Sequence, residues 1–188
     1  MMKSISVLIS LLLVCSCGKS FGQASSVLFA TSSGETRFSS DTPLENILAV
    51  NKKTQVILNT VKNEIAVRMN IREFVFPNKL MQEHFNENYM DSDKFPVATF
   101  SGTLDSAPDF SKDGQYDISA TGNFTLRGVT KKRTLKGLMK VTGGTISIAS
   151  EFEVALEDHK IEVPQVVFVK IAQVIKVKAN YTLVPYKK

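Results

Sequence analysis

Between Tyr116 and Arg127 the chain alternates without a break: Tyr116, Ile118, Ala120, Gly122, Phe124 and Leu126 against Asp117, Ser119, Thr121, Asn123, Thr125 and Arg127. A helix spaces its apolar residues three and four apart, so a period of two over such a run specifies an extended strand with one face buried. Glu64–Arg72 repeats the pattern, with Ile65, Val67, Met69 and Ile71 on one face. Weaker versions occur at 44–50, 55–61, 97–104, 132–141, 145–155 and 173–183, and from about residue 27 onward the period dominates the chain.

The connections read as hairpins. Asp113-Gly114 and Gly143-Gly144 take positive φ at little cost and lie between strand patterns. Gly128-Val129-Thr130-Lys131 is expected to join 116–127 to 132–141, which puts Lys131, Lys132 and Arg133 at a solvated tip. One segment departs from the pattern. After Pro77, Asn78 is placed to cap a short helix over 79–90, with Leu80, Met81, His84, Phe85 and Tyr89 near one face, ending before Phe95-Pro96. A second interruption over 162–173 has no clear period and fits a loop or a short helix.

The chain's 188 residues fit one domain, and neither repeat nor linker divides it. About eight antiparallel strands with one or two short helices suggest an all-β, closed or nearly closed antiparallel barrel, since closure removes exposed edges. At that strand number the interior either fills with side chains or encloses one small ligand.

Residues 1–22 are expected to be a signal peptide: Lys3, an apolar run from Ile5 to Val14, and Ser20-Phe21-Gly22 before a cut at Gln23. Val14-Cys15-Ser16-Cys17 offers the alternative of a lipoprotein anchored through Cys17. The expected location is periplasmic or secreted. Residues 23–188 form the folded domain and contain no cysteine, which excludes disulfides and thiolate chemistry after the first cut. Removing the leader leaves 21 cations against 18 acids, a formal charge of +3 instead of +5. That mild excess is no basic face for nucleic acid.

Catalytic constellations are missing. There is no Gly-x-Ser-x-Gly, His-Glu-x-x-His or phosphate loop, and only two histidines are present. His84 and Glu87 lie one helical turn apart but lack the further ligands a metal needs, and Asp105, Asp109 and Asp113 do not follow a calcium loop's alternation. His159 reads as a loop residue. No catalytic residue, metal site or cofactor is therefore expected.

Three stretches, "MQEHFNENYMDSDKFPVATFSG" (81–102), "GQYDISATGNFTLRGVTKKRTLKG" (114–137) and the ending "DHKIEVP…IKVKANYTLV", resemble the YceI-like family of bacterial secreted proteins. The middle stretch carries the family's Thr-Leu, polar residue and Gly-Val-Thr-Lys as Thr125 to Lys131. The chain departs at "SGETRFSSD" and at Met81-Gln82-Glu83-His84, where many members have a histidine and an Arg-Asp pair. The resemblance implies a lipocalin-like barrel that holds a polyisoprenoid or other long-chain, fatty-acid-like lipid for transport or storage, without catalysis. On it, Ile65, Val67, Met69, Ile71, Phe100, Tyr116, Ile118, Phe124 and Leu126 are expected to line the cavity, with Leu80, Met81, His84 and Phe85 of the helix closing one end. Lys131 to Arg133 offer peripheral contact with an anionic membrane. The alternative is a filled barrel that binds a partner protein through its loops.

Overall fold

The computed structural model describes residues 28–165 and 169–186. The expected signal peptide and both cysteines lie outside them. Eight strands form the wall: β1 (Leu28–Asp41), β2 (Asn46–Asn59), β3 (Glu64–Asn70), β4 (Val97–Leu104), β5 (Gly114–Leu126), β6 (Val129–Thr142), β7 (Thr145–Ala155) and β8 (Val174–Pro185). Each pairs antiparallel with the next, and β8 returns to β1, with Phe38 opposite Val177, to close the barrel. A short helix, α1 (Lys79–His84), continues as one wider turn over Phe85–Tyr89. Among the described residues no helix is long and apolar enough to cross a membrane.

Because every neighbour is antiparallel, the connections alternate between two ends. The 60–63, 105–113 and 143–144 links lie at one end; the 42–45 turn, the 71–96 excursion with α1, the 127–128 turn and residues 156–165 and 169–173 lie at the other. The first is the closed end. There Val56, Leu58, Ile65, Leu104, Met139, Ile146 and Leu183 fill the barrel, all of them buried.

Several boundaries differ from the sequence expectation. The segments at 44–50 and 55–61 are one strand, β2, and β1 precedes it. Register shifts between Thr31 and Thr36 make β1 and β2 bulge together, and the buried parity of β2 switches from Ala49 and Asn51 to Thr54, Val56 and Leu58. Buried Asn51 satisfies the bulge, donating from Nδ2 to the Asn70 carbonyl (2.9 Å) and accepting from Lys53 N–H (2.8 Å). Gly143 and Gly144 do take positive φ, but Gly114 begins β5 without it, and the Asp113 carboxylate caps Gly143 N–H instead (3.0 Å). The β5–β6 hairpin turns at Arg127 (φ 46°) and Gly128 (φ 73°), two residues with the positive φ such hairpins require. Lys131, Lys132 and Arg133 therefore lie on β6 and not at a tip.

Candidate functional site

The open half of the barrel contains a cavity of about 400 Å³. Its wall is built from the upper inward positions of seven strands: Phe38 and Ser40 on β1, Ile47 on β2, Met69 on β3, Ala98 on β4, Phe124 and Leu126 on β5, Phe152 and Val154 on β7, and Ile175 and Val177 on β8. Ile71, Phe74, Phe76, Leu80, Met81, Phe85, Tyr89 and Met90 of the 71–96 excursion roof it.

Sequence dictates how that roof is held. The 3-10 turn Ile71–Glu73 shifts the phase of the two-residue period by one, and Phe74-Val75-Phe76 resumes it in the opposite parity to β3, so both rings turn inward while exposed Val75 pairs with Val50 through backbone bonds of 3.1 and 2.9 Å. The Asn78 side chain caps α1, accepting from Leu80 N–H (2.9 Å) and Met81 N–H (3.4 Å), and Gln82 Oε1 accepts from Phe76 N–H (3.2 Å). The Phe85 ring then packs on Phe76 (5.0 Å between centroids), Phe38 (5.3 Å) and Phe74 (6.0 Å). Four aromatic rings thus fasten a six-residue helix that could not hold itself in water.

Polar groups gather at the rim and the floor. At the rim stand Asn78, exposed His84, and Lys170 paired with Glu45 (3.9 Å). Ser40 Oγ accepts from Ala172 N–H (2.8 Å), tying the segment after Lys170 to β1. On the floor, Thr36 Oγ1 shares hydrogen bonds with Thr54 Oγ1 (2.9 Å) and the Tyr181 hydroxyl (3.1 Å). Burial pushes the Tyr181 phenol up to about 12 against the opposing pull of the Thr36 bond. Gly34 makes room for this ring, since a Cβ there would stand 2.7 Å from Tyr181 Cδ1.

One seam of the wall is built differently. The β6–β7 ladder runs only from Gly137–Ser150 to Thr142–Thr145, leaving the open-end halves of both strands without each other. Side chains bridge the gap. Ser150 Oγ donates to the Lys136 carbonyl (2.6 Å), and Arg133 donates to the Glu153 carbonyl (2.5 Å) while lying over the Phe152 ring. A 3-10 turn, Glu157–His159, covers the rest. His159 is 1% exposed, donates from Nδ1 to the Val129 carbonyl (3.2 Å) and sets its ring edge-on to Phe124 (5.3 Å). Desolvation holds its pKa below the ordinary value, ahead of the opposing pull of the Val129 and Leu126 carbonyls and Asp158. Arg127 reaches the Lys160 carbonyl and Lys131 pairs with Asp158 (3.2 Å). Leu156 and Ile161 flank the turn and face the cavity.

Of the residues singled out from sequence, Met69, Ile71, Leu80, Met81, His84, Phe85, Phe124 and Leu126 come together around this cavity. Ile65, Val67, Phe100 and Ile118 are buried in the core outside its lining, and Tyr116 is half-buried, its hydroxyl donating to the Lys112 carbonyl (3.2 Å). Strand direction explains the split: β3 and β5 start at the closed end, so their first inward residues fill the floor side and their last ones reach the cavity. Sequence reasoning missed Phe38, Phe74, Phe76, Phe152, Ile175 and Val177. The alternation of Phe74 with Phe76, and of Ile175, Val177, Ala179 and Tyr181 with Lys176, Lys178 and Asn180, was there to find them.

Among the described residues no three His, Cys, Asp or Glu side chains converge as a metal site would. Asp105 accepts from Ser119 and Thr121, Asp109 from Ser111, and Asp113 from Gly143, three separate turn contacts. Those hydroxyl bonds lower the Asp105 carboxyl, and the Ser111 bonds lower that of Asp109.

The sequence model of the YceI-like domain family matches residues 23–183. No curated protein matches the chain. Among solved structures, a polyisoprenoid binding domain from Saccharophagus degradans implicated in plant cell wall breakdown superposes with a TM-score of 0.72 at 12% identity, covering 86% of this chain and 99% of that one. BcnA of Burkholderia cenocepacia gives 0.67 at 14%, covering 80% and 96%. A YCEI protein of Campylobacter jejuni gives 0.57 at 11%, covering 99% and 94%. At these identities the likeness is one of fold.

Proposed function

Because the chain belongs to the YceI-like domain family, we propose that it is a non-catalytic carrier holding a polyisoprenoid or another long-chain amphiphilic lipid in the open half of its barrel, for transport or storage. The observation that carries this reading is the cavity: about 400 Å³ walled by aromatic and aliphatic side chains, with charged groups only at its rim. A hydrocarbon chain gains about 0.8 kcal/mol for each methylene it moves from water into such a lining, and a headgroup left at Lys170, Glu45 and His84 stays in water. The polyisoprenoid-binding relative with the same fold supports the ligand class. Export to the periplasm or beyond is part of the proposal. The leader supports it, and the family match begins at residue 23, where the expected cut falls.

Native mass spectrometry of the protein purified from a bacterial host, with organic extraction of whatever dissociates, tests the carrier reading. A stoichiometric lipid is the expected result. A clean apo mass, unchanged after incubation with isoprenoid and fatty-acid mixtures, overturns it.

A further inference from the structure

We infer that the Tyr181–Thr36–Thr54 network is a fixed floor that limits the barrel to a single hydrocarbon chain of about 13 buried carbons, taking roughly 30 Å³ for each carbon-sized unit. The inference rests on the carrier reading and names the part of the ligand that reading leaves open.

Two properties make the floor rigid. Thr36 belongs both to the cavity lining and to the hydroxyl network, so the deepest polar atom a chain meets is already bonded on two sides. Moving Tyr181 aside would break its bond to Thr36 and leave the phenol hydroxyl unpaired, an outcome folded proteins avoid for a buried polar group. Nor is there space beneath: Val56, Leu58, Met139 and Leu183 are fully buried. A chain that reaches Thr36 therefore stops. Any further length must remain outside the rim, where it gains little.

The ligand chemistry this selects is one unbranched or methyl-branched chain of moderate length with a polar head. Acyl lipids and farnesyl-class isoprenoids both satisfy it. Displacement of a fluorescent fatty acid from the purified protein by saturated fatty acids of about 8 to about 20 carbons reads the limit directly, with affinity rising about fourfold per added methylene while carbons enter the cavity. The expected result is a break near 13 carbons followed by a plateau. Farnesol and its one-isoprene-longer homologue geranylgeraniol, run alongside, distinguish the sources: equal affinity of the two places an isoprenoid at the same ceiling, and the tighter series at the break identifies the preferred chain.

Two substitutions move the ceiling in opposite directions. Tyr181→Leu removes the floor and is expected to shift the break outward by about four carbons; Val177→Phe fills the cavity and is expected to shift it inward by about four. Should Tyr181→Leu fail to fold, Val177→Phe carries the test, because it adds atoms to free space. Affinity that climbs unbroken to the longest chain, or a break that Val177→Phe leaves in place, overturns the ceiling while leaving the carrier reading intact. Failure of every chain to displace the probe overturns both.

Discussion

Ala98 gives the sharpest way to distinguish a cavity from a filled core. It sits on β4 opposite Met69, is 2% exposed, and forms part of the cavity wall. Ala98→Leu adds three carbons, which need about 90 Å³ at roughly 30 Å³ each, well within the 400 Å³ in front of them. Two effects of opposite sign follow. The free protein becomes more stable, by up to about 2 kcal/mol, because the added carbons leave water for an apolar lining at about 0.8 kcal/mol each. A lipid that had used the same space loses it, and its affinity falls about 50-fold. A filled core gives the reverse, since extra methylenes forced into dense packing cost about 1–3 kcal/mol and a ligand bound elsewhere does not respond. Urea unfolding of the delipidated protein and displacement titration of a fluorescent fatty acid measure the two effects. An apo protein destabilised by about 1 kcal/mol or more, or a variant that binds as tightly as the parent, would refute the reasoning.

Three other outcomes are expected. His159 is held neutral by burial, so the unfolded chain takes up its proton first; stability is full above 6.5 and is lost as pH falls from there through the lowered folded value. Urea midpoints should decline over that window in the parent and less in His159→Leu, and parallel profiles would sink the assignment. Tyr181 has the opposite sign: its phenol is raised from 10.0 to about 12, so about 3 kcal/mol of stability present below pH 10 is lost as pH rises to about 12, and Tyr181→Phe should remove that part of the alkaline decline. Gly122 faces Gly102 across β4–β5, and a Cβ there would stand 2.2 Å from the Ser101 carbonyl oxygen. Gly122→Ala should cost about 3 kcal/mol or more. Gly144→Ala has open space and pays only for its φ of 75°, about 1 kcal/mol; equal costs in urea unfolding would count against the close approach of the two strands.

The barrel was legible where one face of a strand is apolar from end to end, as in Tyr116–Leu126, and α1 was legible from Asn78 because a capping side chain acts within its own turn. β1 was not. Its inward positions include Gly34, which admits Tyr181, Thr36, which joins the floor network, and Ser40, which holds Ala172 N–H at the rim, so no apolar alternation survives to be read. In β2 the bulge reverses parity at Lys52-Lys53, which makes one strand look like two. For the cavity, period two assigns Val67 and Met69 to the same face but carries no information about height. Only strand direction separates the one beneath the floor from the one above it. His159 gave no signal at all, because its burial depends on Val129 and Phe124, thirty or more residues away.

The side-chain seam between β6 and β7 also bears on how such a barrel avoids sticking to its neighbours. An interrupted ladder presents two short stretches of strand edge, the kind of template on which a foreign strand can nucleate aggregation. Here one edge carries Lys131, Lys132, Arg133 and Lys136 and the other Glu151 and Glu153. An intruding strand would have to present complementary charge to both edges, of opposite sign and within a few residues, and also displace the turn that bears His159. The residues that stitch the gap thereby keep it private to this chain, and their loss would be felt in solubility before it was felt in the fold.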